Sequence, residues 1–169
     1  MMQIENEFIK IVSIHFCKAF ERIIHAISQL NDKQIWLRPS DNSNSVGIIL
    51  QHLAGNLNQW VYSAIGGNEF QRNRPQEFKE TDRIPQKELL LEINTLSKKI
   101  QDIILQVTPE SLLSNRRIQG FDETVMSALI AALTHLELHS GQITLIAKLM
   151  LNKDYQEFWQ PLNKEQGKE

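Results

Sequence analysis

Cysteine occurs once in the 169 residues, so no disulfide can form within the chain. Seven glycines and five prolines are few, which excludes collagen-like repeats and argues against a disordered or loop-dominated chain. Charge of one sign is scarce too: 18 basic and 20 acidic side chains leave a formal net charge of -2, and no run of Lys or Arg exceeds two residues. Such a chain has no long-range field to gather nucleic acid or anionic lipid, and nucleic acid is not an expected partner. Long apolar runs are missing as well. No segment offers the about 18 consecutive apolar residues of a membrane span, and "MMQIENEFIK" lacks the basic end and unbroken apolar stretch of a signal peptide. The expectation is a cytoplasmic protein with no membrane partner.

What is present is an ordinary globular composition, 41% apolar and 22% charged, in a length that suits one domain over residues 1–169. Phe8, Ile11, Val12, Phe16, Ala19, Ile23 and Ile27 recur at three- and four-residue intervals, which predicts helix one from Glu5 to about Leu30. Cys17 falls inside it and reads as a small buried hydrophobe. "LRPSDNSNS" stops this helix, Asn44 or Ser45 can cap the next, and helix two runs through "VGIILQHLAGNLNQWVYSAI". Gly66 and Gly67 end it. A long polar link then leads to Pro85 and helix three, which extends to about Val107; so long a link is either a crossover along a bundle or a loop with a task of its own. "TPESLLSNRRIQGFDET" reads as an irregular connector, with Asp122 or Thr124 capping helix four to about Met150, and a short fifth helix is expected around "YQEFWQPL". Four long periodic segments without alternating strand patterns predict an all-α four-helix bundle.

Within helix four, "HLELHSGQ" sets two histidines four residues apart. At about 100° per residue, His135 and His139 lie about 40° apart on one face, close enough to ligate one ion. Histidines at that spacing also fill cores, and a pair alone does not decide between the two readings. His52 adds a third imidazole, because Ile48, Ile49 and Leu53 mark the apolar side of helix two and turn it toward the core. Three neutral imidazoles on rigid helices would leave an ion's other positions open, as in catalytic rather than structural sites. Ala128, Ala131 and Ala132 suggest a cavity below the pair, Leu138 reads as core, and Gln142 is either a ligand-orienting or a packing residue. His15 and His25, on helix one, lack comparable spacing and are left out. Imidazole donors suit zinc, nickel, iron and copper alike.

"HLAGN" in helix two, the following "GGNEFQRNRPQEF" and the late "THLELHSGQITLIAKLM" together resemble the DinB-like superfamily of small metal-binding four-helix proteins, over about Trp36 to Met150. The resemblance implies a divalent metal ion (zinc, nickel or iron) held by His52, His135 and His139. It implies an up-down-down-up bundle with the long link between helices two and three, and a homodimer. It also implies kinship with bacillithiol- and mycothiol-dependent transferases, hence a metal-dependent thiol S-transferase acting on a low-molecular-weight thiol and an electrophilic small molecule. A non-enzymatic metal-binding or stress-associated protein, or a metal-dependent hydrolase, are the alternatives, and no catalytic residue beyond the histidines is assigned. The tail "YQEFWQPLNKEQGKE" keeps the Trp159 and Pro161 of that group but is brief.

Overall fold

In a computed structural model, residues 2–80 and 83–159 are described. They form α1 (Met2–Ser28), α2 (Asp32–Ile35), α3 (Val46–Leu57), α4 (Arg74–Glu77), α5 (Gln86–Gln106), a hairpin of β1 (Asn115–Ile118) and β2 (Phe121–Thr124), and α6 (Val125–Leu151). The chain is all-α in class. The four long helices are the four read from periodicity, and Ser45 and Thr124 are the residues that cap α3 and α6.

The ends of the helices show their directions. Gln86 at the start of α5 donates from its side chain to the carbonyls of Ile27, Ser28 and Leu30 at the end of α1, and Asp32 accepts its backbone N–H. α1 and α5 are therefore antiparallel. Trp36, just after α2, packs against Gly47 at the start of α3 and donates to the carbonyl of Ile84, so α3 starts beside the start of α5, and Gly66 beyond its far end lies against Ile103 near the end of α5. Met126, at the start of α6, bonds the carbonyl of Leu112 just past α5, and Gln156 beyond its end bonds Gln29 just past the end of α1. The course is up-down-down-up, and the long link returns along the bundle between two parallel helices.

A continuous core joins all four long helices, with Phe16, Phe20, Ile23, Ile27, Ile48, Leu53, Leu57, Ile100, Ile104 and Leu136 fully buried. Ala128 and Ala132 lie buried in the core stripe of α6. Leu138 does not belong to that stripe. It is 61% exposed, because two residues beyond Leu136 turns it by about 200°, to the far side of the helix.

Three local elements differ from the expectation. The chain before α3 is not wholly irregular, since Asn31 and Gln34 form a reciprocal cap that nucleates α2. The connector before α6 contains the antiparallel hairpin, closed by Gln119 (φ 53°) and Gly120 (φ 90°), the mirror-image two-residue turn whose twist matches paired strands. The fifth helix is not formed over Tyr155 to Trp159; a single 3-10 turn, Asn152–Asp154, precedes them, and residues 160–162 of the expected helix lie outside the described residues. α3 also continues as a π-helical turn, Asn58–Ser63, in which wider rings such as Ala64 N–H to the Gln59 carbonyl swing the side chains out of α-helical phase. Among the described residues no helix is long and apolar enough to cross a membrane.

Candidate metal centre

His52 sits midway along α3, while His135 and His139 sit midway along α6, the helix packed beside it. On α6 the two imidazoles occupy the shoulder of the buried stripe made by Ala132, Leu136 and Ser140, so they face α3 without being sealed from solvent. The three rings converge. His52 Nε2 is 3.1 Å and His139 Nε2 is 3.2 Å from His135 Nε2, and the candidate ligand atoms of all three lie within 4.8 Å of one another. Nitrogens each about 2.1 Å from one ion in a tetrahedral or facial arrangement stand roughly 3.0–3.4 Å apart, so the two measured separations match a shared ion.

The hydrogen bonds on the outer sides of the rings decide which nitrogens are free. His52 Nδ1 is 2.9 Å from Glu77 Oε2, and His139 Nδ1 is 2.7 Å from Gln142 Oε1. Both partners are acceptors, so each Nδ1 carries the proton and each Nε2 carries a lone pair. Two lone pairs then face His135 Nε2, which has at most one hydrogen to offer while neutral. At least one lone pair is left without a donor, a mismatch that a cation at the point of convergence removes. The donor set fits a divalent metal ion.

Electrostatics point the same way. Burial first, then the His139, His52 and Arg72 charges, pull the His135 imidazole down to about 4, with Glu77 opposing. Burial, and then His52, also lower His139 against the Gln142 bond. Both rings are therefore neutral at pH 7 and free to ligate. The unfolded chain takes up a proton on such a ring near pH 6.5, whereas folded His135 does so only near pH 4. Metal-free protein should accordingly hold full stability above pH 6.5 and lose it as the pH falls from about 6.5 through about 4. Thermal unfolding in chelator across pH 4 to 8 checks this. A midpoint that does not fall across that window would contradict it.

The other sequence candidates lie elsewhere. His15 is exposed, and His25 donates to the Gln156 carbonyl at 2.7 Å, which ties the segment after α6 to α1. Burial and Glu21 push the Cys17 thiol up, away from thiolate character. Two side chains at the centre were not singled out in the sequence, Arg72 and Glu77, both from the long link. Arg72 Nε and Nη2 bond Glu77 Oε1 and Oε2 at 2.6 and 2.8 Å, and Glu77 carries that pair to His52. Their sequence signals were the length of the link, which left room for a loop with a task, and their place in "GGNEFQRNRPQEF", one of the stretches that carry the resemblance.

A family model described as "Protein of unknown function (DUF1572)" matches residues 3–164. No curated protein matches the chain. Among solved structures, a DinB-like protein from Bacillus subtilis aligns with a TM-score of 0.67 at 19% identity, over 89% of this chain and 99% of its own. A DinB-like protein from Bacillus cereus gives 0.64 at 13% identity, over 78% and 85%, and a conserved protein from Enterococcus faecalis gives 0.70 at 17%, over 84% and 96%. At these identities the likeness is one of fold.

Proposed function

This chain belongs to the family of proteins of unknown function DUF1572 and has the DinB-like fold, and from that premise we propose that His52, His135 and His139 hold one divalent metal ion, zinc, nickel or iron, in a metal-dependent enzyme of thiol S-transferase type. The observation that carries the metal reading is the convergence of three Nε2 atoms with fewer hydrogens than lone pairs. Bound there, the ion would supply Lewis acidity, lowering the pKa of a thiol or water that reaches its free side. Three neutral protein donors leave that side open, and the half-buried rings of His135 and His139 give access to it. Phe78, with its ring 5.2 Å from that of His52, forms an apolar wall at one margin. At the other margin Gln142, whose carbonyl orients His139, also lines a cleft of about 350 Å³. That cleft has Asn42, Ser43 and Asn44 at its rim and Ile49 and Ile146 among its apolar walls, which suits a small electrophile. Thiol transfer is supported by the resemblance of the "HLAGN" and "THLELHSGQ" motifs to the DinB-like superfamily, whose characterised branches include thiol-dependent transferases.

The test uses protein purified without a histidine tag. Elemental analysis and titration should find one ion per chain, and a panel of low-molecular-weight thiols with electrophiles should show a rate that chelator abolishes. Metal without any metal-dependent rate would leave a non-enzymatic metal-binding protein, and metal-dependent cleavage by water without thiol would make it a hydrolase. Absence of stoichiometric metal would overturn the site itself.

The same reading includes a homodimer. Its support is the outer face of α6, where Ile130, Leu138 and Leu145 are 47%, 61% and 58% exposed and the two leucines stand seven residues apart on one side. Sedimentation at micromolar concentration should give twice the chain mass, and Leu138→Glu should return it to monomer with the fold intact. A wild-type monomer would end this part of the proposal.

A further inference from the structure

We propose that Glu77, clamped by Arg72, is the positioning residue of the metal centre: its carboxylate accepts the hydrogen bond of His52 Nδ1–H and thereby turns the lone pair of Nε2 toward the ion. This rests on the metal reading above, but its first consequence, the tautomer of one ring, is present in the metal-free protein.

Both groups are buried where charge is costly. The Arg72 and Glu77 side chains are 5% and 8% exposed, and a buried ion pair contributes little net stability against apolar packing. Its retention calls for another reason, and its geometry supplies one. Two parallel bonds from Arg72 fix both carboxylate oxygens, and Oε2, thus fixed, meets His52 Nδ1 at 2.9 Å. Arg72 is itself held, since Nη1 donates to Gln59 Oε1 at 3.1 Å, and the same oxygen accepts from Gln119 at the hairpin turn. Gln59 lies in the π-helical turn, so the irregular end of α3 and the hairpin both brace the clamp.

The helix surface beneath is shaped for it. A Cβ at Gly55, three residues after His52, would lie 2.0 Å from Glu77 Oε1 and 3.2 Å from Arg72 Nε. Only a residue without a side chain lets the carboxylate seat against α3 beside the imidazole. Arg72 Nη2 also lies 3.3 Å from His52 Nδ1 and would favour the opposite tautomer, with the lone pair on Nδ1. That alternative is disfavoured, because a lone pair on Nδ1 would confront the Glu77 carboxylate at 2.9 Å, a shorter contact than the 3.3 Å to Nη2. Outer carboxylates that orient a ligating histidine act in this way, and their loss lowers metal affinity by roughly 10- to 100-fold.

Two measurements separate this inference from the metal reading. Long-range ¹H–¹⁵N NMR of metal-free protein should show His52 with its proton on Nδ1, and Glu77→Ala should shift it toward Nε2–H. Zinc titration against a competing chelator should show affinity reduced about 10- to 100-fold in Glu77→Ala, with partial recovery in Glu77→Gln, which retains an acceptor oxygen. Gly55→Ala should reproduce both effects by displacing the carboxylate without removing any polar group, and it supplies the readout if Glu77→Ala fails to fold. A wild-type His52 protonated on Nε2, or folded Glu77→Ala and Gly55→Ala proteins with wild-type tautomer and wild-type zinc affinity, would overturn the proposal. Wild-type protein that takes up no zinc yet holds the Nδ1–H tautomer would instead overturn the metal reading and leave the orienting contact standing.

Discussion

Replacing His135 by alanine is expected to weaken zinc binding by more than about 100-fold while leaving the bundle folded. His135 is the middle member of the three, with Nε2 near both His52 Nε2 and His139 Nε2, so its loss leaves two donors on different helices. Removing a direct ligand should exceed the roughly 10- to 100-fold cost of removing an outer partner. The fold should survive for a separate reason. His135 lies on the shoulder of the core stripe, and its Nδ1 is buried without a hydrogen-bond partner, so the metal-free protein loses an unsatisfied polar group rather than an apolar contact. Metal-free His135→Ala should even unfold at a higher temperature than wild type at pH 5, where the wild-type chain gains by protonating this ring on unfolding. His25→Ala, far from the centre on α1, serves as the matched control and should bind zinc as wild type does. Competition titration and scanning calorimetry in chelator measure both quantities. Unaltered zinc stoichiometry and affinity in His135→Ala would mean that the three rings pack together without sharing an ion.

Leu136→Ala is expected to destabilise the protein by about 2 to 5 kcal/mol, with zinc affinity unchanged in the folded fraction. Leu136 is fully buried in the core shared by the long helices, and core neighbours relax only partly around a truncated side chain. Leu138→Ala should have nearly no effect, within about 0.5 kcal/mol, on the unfolding of the single chain at concentrations below those at which copies associate, because in one chain its side chain is already 61% in solvent. The two leucines are close in sequence and opposite in environment, which makes the pair a strict test of how α6 is rotated. Denaturant unfolding with a common slope for all three proteins provides the comparison. Equal destabilisation by the two substitutions would mean that α6 faces the core differently.

The misplacement of Leu138 shows what limits a reading by helical periodicity. The segment from Val125 to Leu151 is apolar nearly all round, with leucines or isoleucines on the outer face as well as the inner, so hydrophobicity alone marks no single side. The histidines themselves supply a direction, but they lie beside the core stripe rather than on it, so a position close to them in sequence, such as Leu138, need not face the core. In α5 the contrast between faces is sharp: Leu89, Ile93, Leu96, Ile100 and Ile104 are buried, and the remaining positions are largely polar. The hairpin was missed for a different reason. Its strands are four residues each and rich in charge, and their pairing depends on a turn with positive φ at Gln119 as well as at Gly120, a conformation that glutamine does not advertise.

By itself the sequence determined the class, the four long helices, a choice of two residues for each of two caps, and the three histidines worth watching, because each follows from interactions within a few residues. Apolar spacing, a hydroxyl before a helix and an i,i+4 pair are local features that the chain carries whatever surrounds it. Only the tertiary structure decided that His52 on α3 meets His135 and His139 on α6, and which nitrogen each ring presents. It alone brought Arg72 and Glu77 from the link onto the back of His52, over the one glycine of α3 that leaves them room. Contacts between groups 20 to 87 residues apart (His52 to Arg72 and His52 to His139) are set by helix packing and by the return path of the link, and a carboxylate becomes a positioning group only once burial and a guanidinium have fixed its two oxygens.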